Sequence, residues 1–152
     1  MVLSSQLMRE ATFNFESLLF SFGQIADNHI FVAGLARSGT TILLNEIYES
    51  DNFASLSYAD MPYVLAPNTF AKILPTLKNS KPIERAHGDG LNISTKSPEA
   101  FEEVFWNTFP DSLDDSHERF KQYIQQIMYK YKKTRYLSKN NQNIRRVELI
   151  SE

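Results

Sequence analysis

The sequence predicts an α/β fold in which helices pack against a mainly parallel sheet. An apolar run at 30–33 lacks the alternation of a half-exposed strand, so both of its faces should be buried, as in a parallel sheet. A turn that contains Gly34 and Gly39 leads from this run into a segment with apolar residues at helical spacing, 40–50. Segments typical of strands and helices then alternate along the chain, which is the order expected of crossover connections.

The composition fits one soluble domain spanning residues 1–152. The chain is 42% hydrophobic and 22% charged, ordinary values for a globular protein. The net charge of −2 gives no reason to expect a nucleic-acid partner, and the lack of cysteine excludes disulfides and thiol chemistry. Arg9, Glu10 and Glu16 interrupt the N-terminal apolar residues, so we expect neither a signal peptide nor a membrane span there. These features predict a soluble, cytoplasmic protein without a membrane partner.

The first half of the chain should supply a covering helix and two strands. We expect the first helix, 4–22, to cover one face of the sheet with an apolar stripe at spacings of three and four residues. That stripe consists of Leu7, Met8, Ala11, Phe15, Leu18, Leu19 and Phe22. The strands are predicted at 30–33 and 53–57. A further helix should start at Pro62, break at Pro67 and end at Pro75.

The second half should contain a polar loop, three helices and one more strand. The loop, 80–97, has room for a short strand at 91–93, and Ser97-Pro98-Glu99 is a typical helix start. The next helix has a buried stripe of Phe120, Tyr123, Ile124, Ile127, Met128 and Tyr131. That helix is predicted at 115–132, and the strand that follows it at 134–138. The last helix is predicted at 144–150, with Asn143 as its cap. The acidic residues between Glu99 and Glu118 are interpreted mainly as solvated helix faces.

The loop between the first strand and its helix has the features of an anion-binding site. The first N–H groups of a helix lack intrahelical partners and carry the positive end of its dipole, which stabilises an anion bound there. Gly34 and Gly39 permit close approach of the backbone. Arg37 adds a planar fork of donors suited to phosphate or sulfate. Hydroxyl groups come from Ser38, Thr40 and Thr41.

The loop departs from the nucleotide-hydrolase pattern G-x-x-x-x-G-K-[ST] at one position. Gly34, Gly39 and Thr41 fit the pattern, but Thr40 stands where the lysine that reaches the terminal phosphates is required. This departure argues against hydrolysis of ATP or GTP. The alternative interpretation is a glycine turn that binds nothing.

The segment GLARSGTT resembles the 5′-phosphosulfate loop of the sulfotransferases, in particular their bacterial and Golgi-type branches. Three later segments resemble bacterial members in the same order: SYADMPYVLAPN, ERAHGDGLNISTKSPEAFEEVFW and RYLSKNNQNIRR. The resemblance implies a P-loop-like three-layer fold and sulfuryl transfer from 3′-phosphoadenosine 5′-phosphosulfate to a small-molecule or carbohydrate hydroxyl. The cofactor-binding residues that it implies are Arg37, Ser38, Gly39, Thr40 and Thr41.

The resemblance also implies three candidates for the chemistry of transfer. Asp60, on the segment after the loop helix, is the first candidate for the general base; its alternative role is to cap the helix near Pro62. His87, in the loop RAHGDG with Asp89, is the second candidate. Lys139 follows the strand RYLS and would assist transfer, although the proline that usually follows this lysine in the family is replaced by asparagine. The three histidines are far apart in sequence, and we predict no metal site.

The family resemblance covers only part of a sulfotransferase. In the family, an arginine and a serine after a strand reading R-[DN]-P bind the adenosine 3′-phosphate, and neither R-D-P nor R-N-P occurs in this chain. The sequence therefore resembles an N-terminal half. A truncated, non-catalytic remnant or interaction module is the alternative to an active enzyme.

Overall fold

The computed structural model describes residues 6–23, 28–35, 37–61, 63–73, 83–84, 92–93, 98, 100–112 and 114–151. Six α-helices and five strands are found in this part of the chain, with 3₁₀ turns at Tyr58–Asp60 and Asn141–Arg145. In chain order the elements are α1 (Gln6–Leu19), β1 (Ile30–Val32), α2 (Thr40–Tyr48), β2 (Phe53–Ala54), α3 (Pro67–Ile73), β3 (Ile83–Glu84), β4 (Asn92–Ile93), α4 (Glu102–Trp106), α5 (Ser116–Tyr131), β5 (Arg135–Lys139) and α6 (Val147–Ser151).

The central sheet is parallel, as the sequence predicts. Its strand order is β1-β5-β2, and both outer strands pair in parallel with β5. Val32 lies opposite Lys139, so the carboxyl ends of β1 and β5 meet at the same edge of the sheet. Strands β3 and β4 form a separate antiparallel pair. The α/β class and the mainly parallel sheet are confirmed, and the register brings the loop after β1 next to the end of β5.

The core is divided between two clusters that share β5. Tyr136 packs in the larger cluster with aromatic residues of α4 and α5, while its neighbour Leu137 packs in the smaller one with Leu44 of α2. This division follows from the strand geometry, because successive side chains point to opposite faces of a sheet. Helix α2 therefore packs on the Leu137 face, on the other side of β5 from α5.

Helix α1 faces the opposite way from the prediction. Its predicted stripe is largely exposed, and the buried residues are Phe13 and Glu16. Phe13 packs against Phe109 and Phe105, with ring centroids 4.9 and 6.0 Å away. The prediction was wrong because periodicity identifies an apolar stripe but does not show whether a neighbouring surface covers it.

The buried Glu16 carboxylate holds the start of α3. It accepts hydrogen bonds from the backbone N–H groups of Asn68 and Thr69, at 3.1 and 2.9 Å, and from Asn68 Nδ2 at 2.7 Å. A carboxylate at a helix N-terminus is favoured by the unpaired N–H groups and the helix dipole. Pro67 is the first residue of α3, a position where its missing N–H has no cost, and not a break inside a longer helix.

The segment after β5 differs from its prediction in how it is capped. Asn140, and not Asn143, is the cap: its side chain accepts a hydrogen bond from the Gln142 N–H at 3.0 Å and starts the 3₁₀ turn. Asn143 is buried and donates through Nδ2 to Glu102 at 2.6 Å. The predicted helix is therefore split into the 3₁₀ turn and α6. This tight turn keeps the chain after β5 close to α4.

Buried tyrosines should make the fold sensitive to alkali. Burial, the largest cause in each case, raises the pKa of Tyr123, Tyr131 and Tyr136, and the nearby carboxylates Glu102 and Asp60 raise it further. A raised folded-state pKa stabilises the fold at neutral pH, and this stabilisation is lost as the pH rises above the unfolded value of about 10.

We therefore expect these three of the chain's seven tyrosines to ionise only together with unfolding. Ultraviolet absorbance of tyrosinate, recorded with circular dichroism, measures both events. Titration of all seven tyrosines in a chain that is still folded would contradict this account.

Candidate functional site

The loop between β1 and α2 is closed tightly over Gly34. Ser38 donates through both its N–H and its hydroxyl to the Leu35 carbonyl, at 3.2 and 2.7 Å. A Cβ added at Gly34 would lie 2.9 Å from Ser38 Oγ and 3.0 Å from Thr40 Cγ2, closer than nearly all real Cβ contacts. Glycine at this position therefore lets the two ends of the loop pack against each other.

The N-terminus of α2 is open to an acceptor from outside the helix. Gly39 occupies the N-cap position with φ of 81°, a left-handed conformation that glycine adopts at little cost. It has no side chain to accept from the first N–H groups of the helix, and no heavy atom lies within 4 Å of a Cβ built there. The usual capping interaction is missing, so these N–H groups can bind an anion.

Arg37 places a cation on the solvent side of the loop. Its φ is 64°, a left-handed conformation that is uncommon and strained for a residue other than glycine. The side chain is exposed, and no acidic residue within the described ranges forms an ion pair with it. The guanidinium is thus available to a ligand, and the unusual backbone angle is the kind of local strain that clusters at functional sites.

Lys139 brings a second positive charge to the same place. It is the last residue of β5, and its Nζ donates to Thr41 Oγ1 at 3.1 Å. Thr41 is in the first turn of α2, directly after the loop. The structure therefore brings together the five predicted cofactor-binding residues, which are contiguous in the chain, and Lys139 from another strand.

The turn after Lys139 is fixed without a proline. The Asn140 N–H donates to the Val32 carbonyl at 3.0 Å, which ties the end of β5 to the end of β1. The Asn140 side chain donates to Glu103 Oε2 at 2.6 Å and caps the following 3₁₀ turn. Asparagine thus uses its backbone N–H, which proline would not have, to hold the chain in place.

The charge of Glu103 is balanced by Arg146. The guanidinium donates to both carboxylate oxygens of Glu103, at 3.1 and 3.3 Å, and to Asp111 at 2.9 Å. Burial acts to lower the pKa of Arg146, but the hydrogen bonds to the two carboxylates outweigh it and the pKa is raised. Because Arg146 pairs with Glu103, this carboxylate does not oppose the binding of an anion at the loop as a free charge would.

Glu102 is a buried residue behind the site that sequence reasoning missed. It is 2% exposed and accepts from four neutral donors: Trp106 Nε1, Asn143 Nδ2, Tyr136 OH and Ser138 Oγ. Two of these donors, Tyr136 and Ser138, belong to β5 immediately before Lys139. The interpretation of this acidic stretch as solvated is therefore wrong for Glu102. The only sequence signal was Trp106 one helical turn later.

Asp60 belongs to a different cluster. Its buried carboxylate accepts from the Ser57 N–H at 2.7 Å and the Tyr131 hydroxyl at 2.6 Å, and it pairs with Lys130. Ser57 and Asp60 form a capping box on the 3₁₀ turn Tyr58–Asp60, in which Ser57 is the cap. Asp60 therefore does not cap a helix near Pro62, and the described helix that follows begins at Pro67.

Asp60 contacts Lys130 and Tyr131 at the end of α5, which leads into the start of β5, whereas the loop contacts Lys139 at the other end of β5. Burial first, and then the charges of Asp60 and Asp51, raise the pKa of Tyr48, the last residue of the nine-residue helix α2. The end of the helix is about 12 Å from its start at a rise of about 1.5 Å per residue. Within the described chain, no hydrogen bond or ion pair joins Asp60 to the loop or to Lys139.

The remaining predicted site residues lie outside the described part of the chain. These residues are His87 and Asp89. Among the described residues, no group of three or more histidine, aspartate or glutamate side chains could hold a metal ion. Within the same ranges, none of the helices has both the length and the apolar character needed to cross a membrane.

Comparisons with known proteins leave the site to be interpreted from its own geometry. No family model, no curated protein and no solved structure matches this chain.

Proposed function

We propose that the loop, the N-terminus of α2 and Lys139 bind the 5′-phosphosulfate of 3′-phosphoadenosine 5′-phosphosulfate, in a P-loop-like fold. The observation that carries this proposal is the 3.1 Å hydrogen bond from Lys139 Nζ to Thr41 Oγ1. It places a strand-end cation beside a glycine loop that already offers uncapped N–H groups and the exposed Arg37. Such a combination of fixed donors and cations suits a ligand with two adjacent anionic groups.

The same arrangement favours a sulfuryl donor over a nucleoside triphosphate. The lysine that holds the terminal phosphates in nucleotide hydrolases is replaced by Thr40, and the site's lysine comes from β5. In sulfuryl transfer, the acceptor oxygen attacks sulfur while the bond from sulfur to the bridging oxygen of the 5′-phosphate breaks. Charge spreads over the sulfuryl and bridging oxygens, and Arg37 and Lys139 would stabilise it there. The products are a sulfate ester and 3′-phosphoadenosine 5′-phosphate.

The proposed base that takes the proton of the acceptor hydroxyl is His87, the second candidate from the sequence. Asp60 is not included in the proposed site, because its carboxylate already binds Ser57 and, at the end of α5, Lys130 and Tyr131. A small-molecule or carbohydrate alcohol is the proposed acceptor class. The alternative, a non-catalytic remnant, would keep the anion site without the transfer.

Transfer of labelled sulfate separates these two functions. The full chain, given 3′-phosphoadenosine 5′-[³⁵S]phosphosulfate and a panel of alcohols and sugars, should form labelled sulfate esters. Lys139→Ala should lower the rate by about tenfold or more if the ammonium stabilises the transition state. Lys121→Ala, which removes an exposed lysine of α5, is the charge-matched control and should leave the rate unchanged. Binding of the cofactor without transfer to any acceptor would support the remnant and contradict the enzyme.

A further inference from the structure

A cleft of about 550 Å³, the α5 cleft, lies where the end of α5 meets the start of α3 and the segment after α1. Asn68 of α3 and Gly23 after α1 line two of its sides, and the last turn of α5 with the residues that follow it lines the third. Thr134, also in the lining, lies about 16 Å from Lys139 along β5, at about 3.3 Å per residue. The α5 cleft is therefore separate from the anion site.

Tyr129 gives the α5 cleft an aromatic wall. Its ring packs against the rings of Phe20 and Phe22, with centroids 5.5 and 5.6 Å away, while 48% of the residue stays exposed. Gln125 Nε2 donates to the Gly23 carbonyl at 2.9 Å and holds the segment after α1 against α5. The neighbouring rings thus fix the position of Tyr129. A fixed, half-exposed ring beside a cleft is suited to stacking against a flat aromatic ligand.

The charged residues that line the α5 cleft are lysines. They are Lys130, Lys132 and Lys133, and no acidic residue of the described chain is part of the lining. Lys130 pairs with Asp60, and Lys133 pairs with Asp51 at 2.7 Å. Lys132 is exposed, and it forms no ion pair with an acid of the described ranges. The cleft therefore offers an uncompensated positive charge, which favours an anionic ligand.

Lys132 occupies a backbone position at which glycine is usual. It is the C-cap of α5 with φ of 54°, a left-handed conformation that is strained for lysine. Its N–H donates to the Tyr129 carbonyl at 3.3 Å, and the Lys133 N–H donates to the Met128 carbonyl at 3.1 Å. These bonds satisfy carbonyl groups whose negative end of the helix dipole would otherwise oppose an anion. Glycine would form the same bonds with less strain, so what lysine adds is an ammonium group at the cleft.

We propose that the α5 cleft binds a small aromatic anion. The flat ring of the ligand stacks on Tyr129, and its carboxylate, sulfate or phosphate group accepts hydrogen bonds from the Lys132 ammonium. The volume of the cleft lies within the range of about 300–1,000 Å³ that is usual for small-molecule sites. The inference is independent of the proposed function, because the cleft shares no residue with the anion site.

Titration calorimetry of the full chain with naphthalene-2-sulfonate, an aromatic anion, tests the chemistry of the ligand. The wild type should bind this probe saturably. Its affinity should be about tenfold higher than that for naphthalene-2-sulfonamide, which has no charge, or for methanesulfonate, which has no ring. A wild type without saturable binding of the probe overturns the proposal, as does equal affinity for the neutral or the ring-free compound.

Variants of the lining residues test the place of binding. Lys132→Gly should weaken binding of the probe by about tenfold without lowering the unfolding temperature, because glycine adopts the left-handed conformation freely. Tyr129→Leu keeps an apolar side chain but removes the ring, and should weaken binding by about fivefold. Lys121→Ala, at a lysine of α5 outside the lining, is the charge-matched control and should bind like the wild type. Wild-type affinity in a folded Lys132→Gly chain would overturn the proposal, and so would loss of binding in Arg37→Ala, which would place the probe at the loop.

Discussion

Replacing Glu102 with alanine should destabilise the fold by about 3 kcal/mol or more. The substitution leaves four buried donors without their acceptor: Trp106 Nε1, Asn143 Nδ2, Tyr136 OH and Ser138 Oγ. Each buried polar group left unsatisfied costs about 1–3 kcal/mol, although hydroxyls can turn to other partners. Domains are stable by only about 5–15 kcal/mol, so this loss is a large share of the total. Urea unfolding followed by tryptophan fluorescence measures it, since Trp106 is the only tryptophan.

Two variants distinguish this network from a simple loss of charge. Glu102→Gln keeps one acceptor oxygen and should be less harmful than alanine, because the two hydroxyls can reverse their hydrogen bonds. Glu118→Ala removes an exposed acid of α5 and should change the free energy of unfolding by less than about 0.5 kcal/mol. A Glu102→Ala chain as stable as Glu118→Ala would contradict the role of Glu102 in holding β5.

The second large effect concerns the binding of 3′-phosphoadenosine 5′-phosphate, the desulfated cofactor. We expect Arg37→Ala and Lys139→Ala each to weaken binding by tenfold or more. Hydrogen bonds to charged groups contribute about 1.5–3 kcal/mol, and each 1.4 kcal/mol is a factor of ten in affinity. Titration calorimetry of the folded variants measures the change, with Lys121→Ala as the control for net charge. Unchanged affinity in both the Arg37→Ala and the Lys139→Ala variant would show that the ligand does not bind at this site.

The sequence was sufficient to predict the parts of the fold that depend on local signals. The apolar run of β1, the glycine loop and α2 appear where they were expected, as does α5 with Phe120, Tyr123, Ile124, Ile127 and Met128 buried. These elements carry their own periodicity and turn residues, so their type does not depend on distant partners. The position of β5 between β1 and β2 could not be derived in this way, because strand order depends on contacts between segments far apart in the chain.

The errors arose where burial depends on a distant partner. The apolar stripe of α1 was expected to be inside, but Phe13 and Glu16 have the better partners, aromatic rings of α4 and the N-terminus of α3. Glu102 was interpreted as solvated because acidic residues in an acidic stretch of sequence are usually exposed to solvent. Its hydrogen-bond donors from β5 lie more than thirty residues away in the sequence. A buried carboxylate satisfied by neutral donors has no signature in local sequence.

The same distinction applies to the site. The loop residues were recognisable because the glycines and hydroxyls that shape it are adjacent in the sequence. The contact of Lys139 with Thr41 requires the pairing of β1 with β5, and the chain path around Asp60 could not be predicted from its distance in sequence to Arg37. Glu103 and Arg146, which hold the turn after Lys139, form an ion pair that only the tertiary fold creates.

Thermal unfolding of the wild-type chain with and without 3′-phosphoadenosine 5′-phosphate, with Mg²⁺-ATP as the comparison ligand, tests the anion site most directly. A ligand at one hundred times its dissociation constant stabilises the folded state by about 2.7 kcal/mol, a shift of several degrees for a chain of this size. We predict that shift for the desulfated cofactor, a smaller one for Mg²⁺-ATP, and about half of it or less for Arg37→Ala with the desulfated cofactor, because tenfold weaker binding lowers the stabilisation to about 1.4 kcal/mol. A chain that unfolds cooperatively at the same temperature in all three conditions would contradict cofactor binding at the loop.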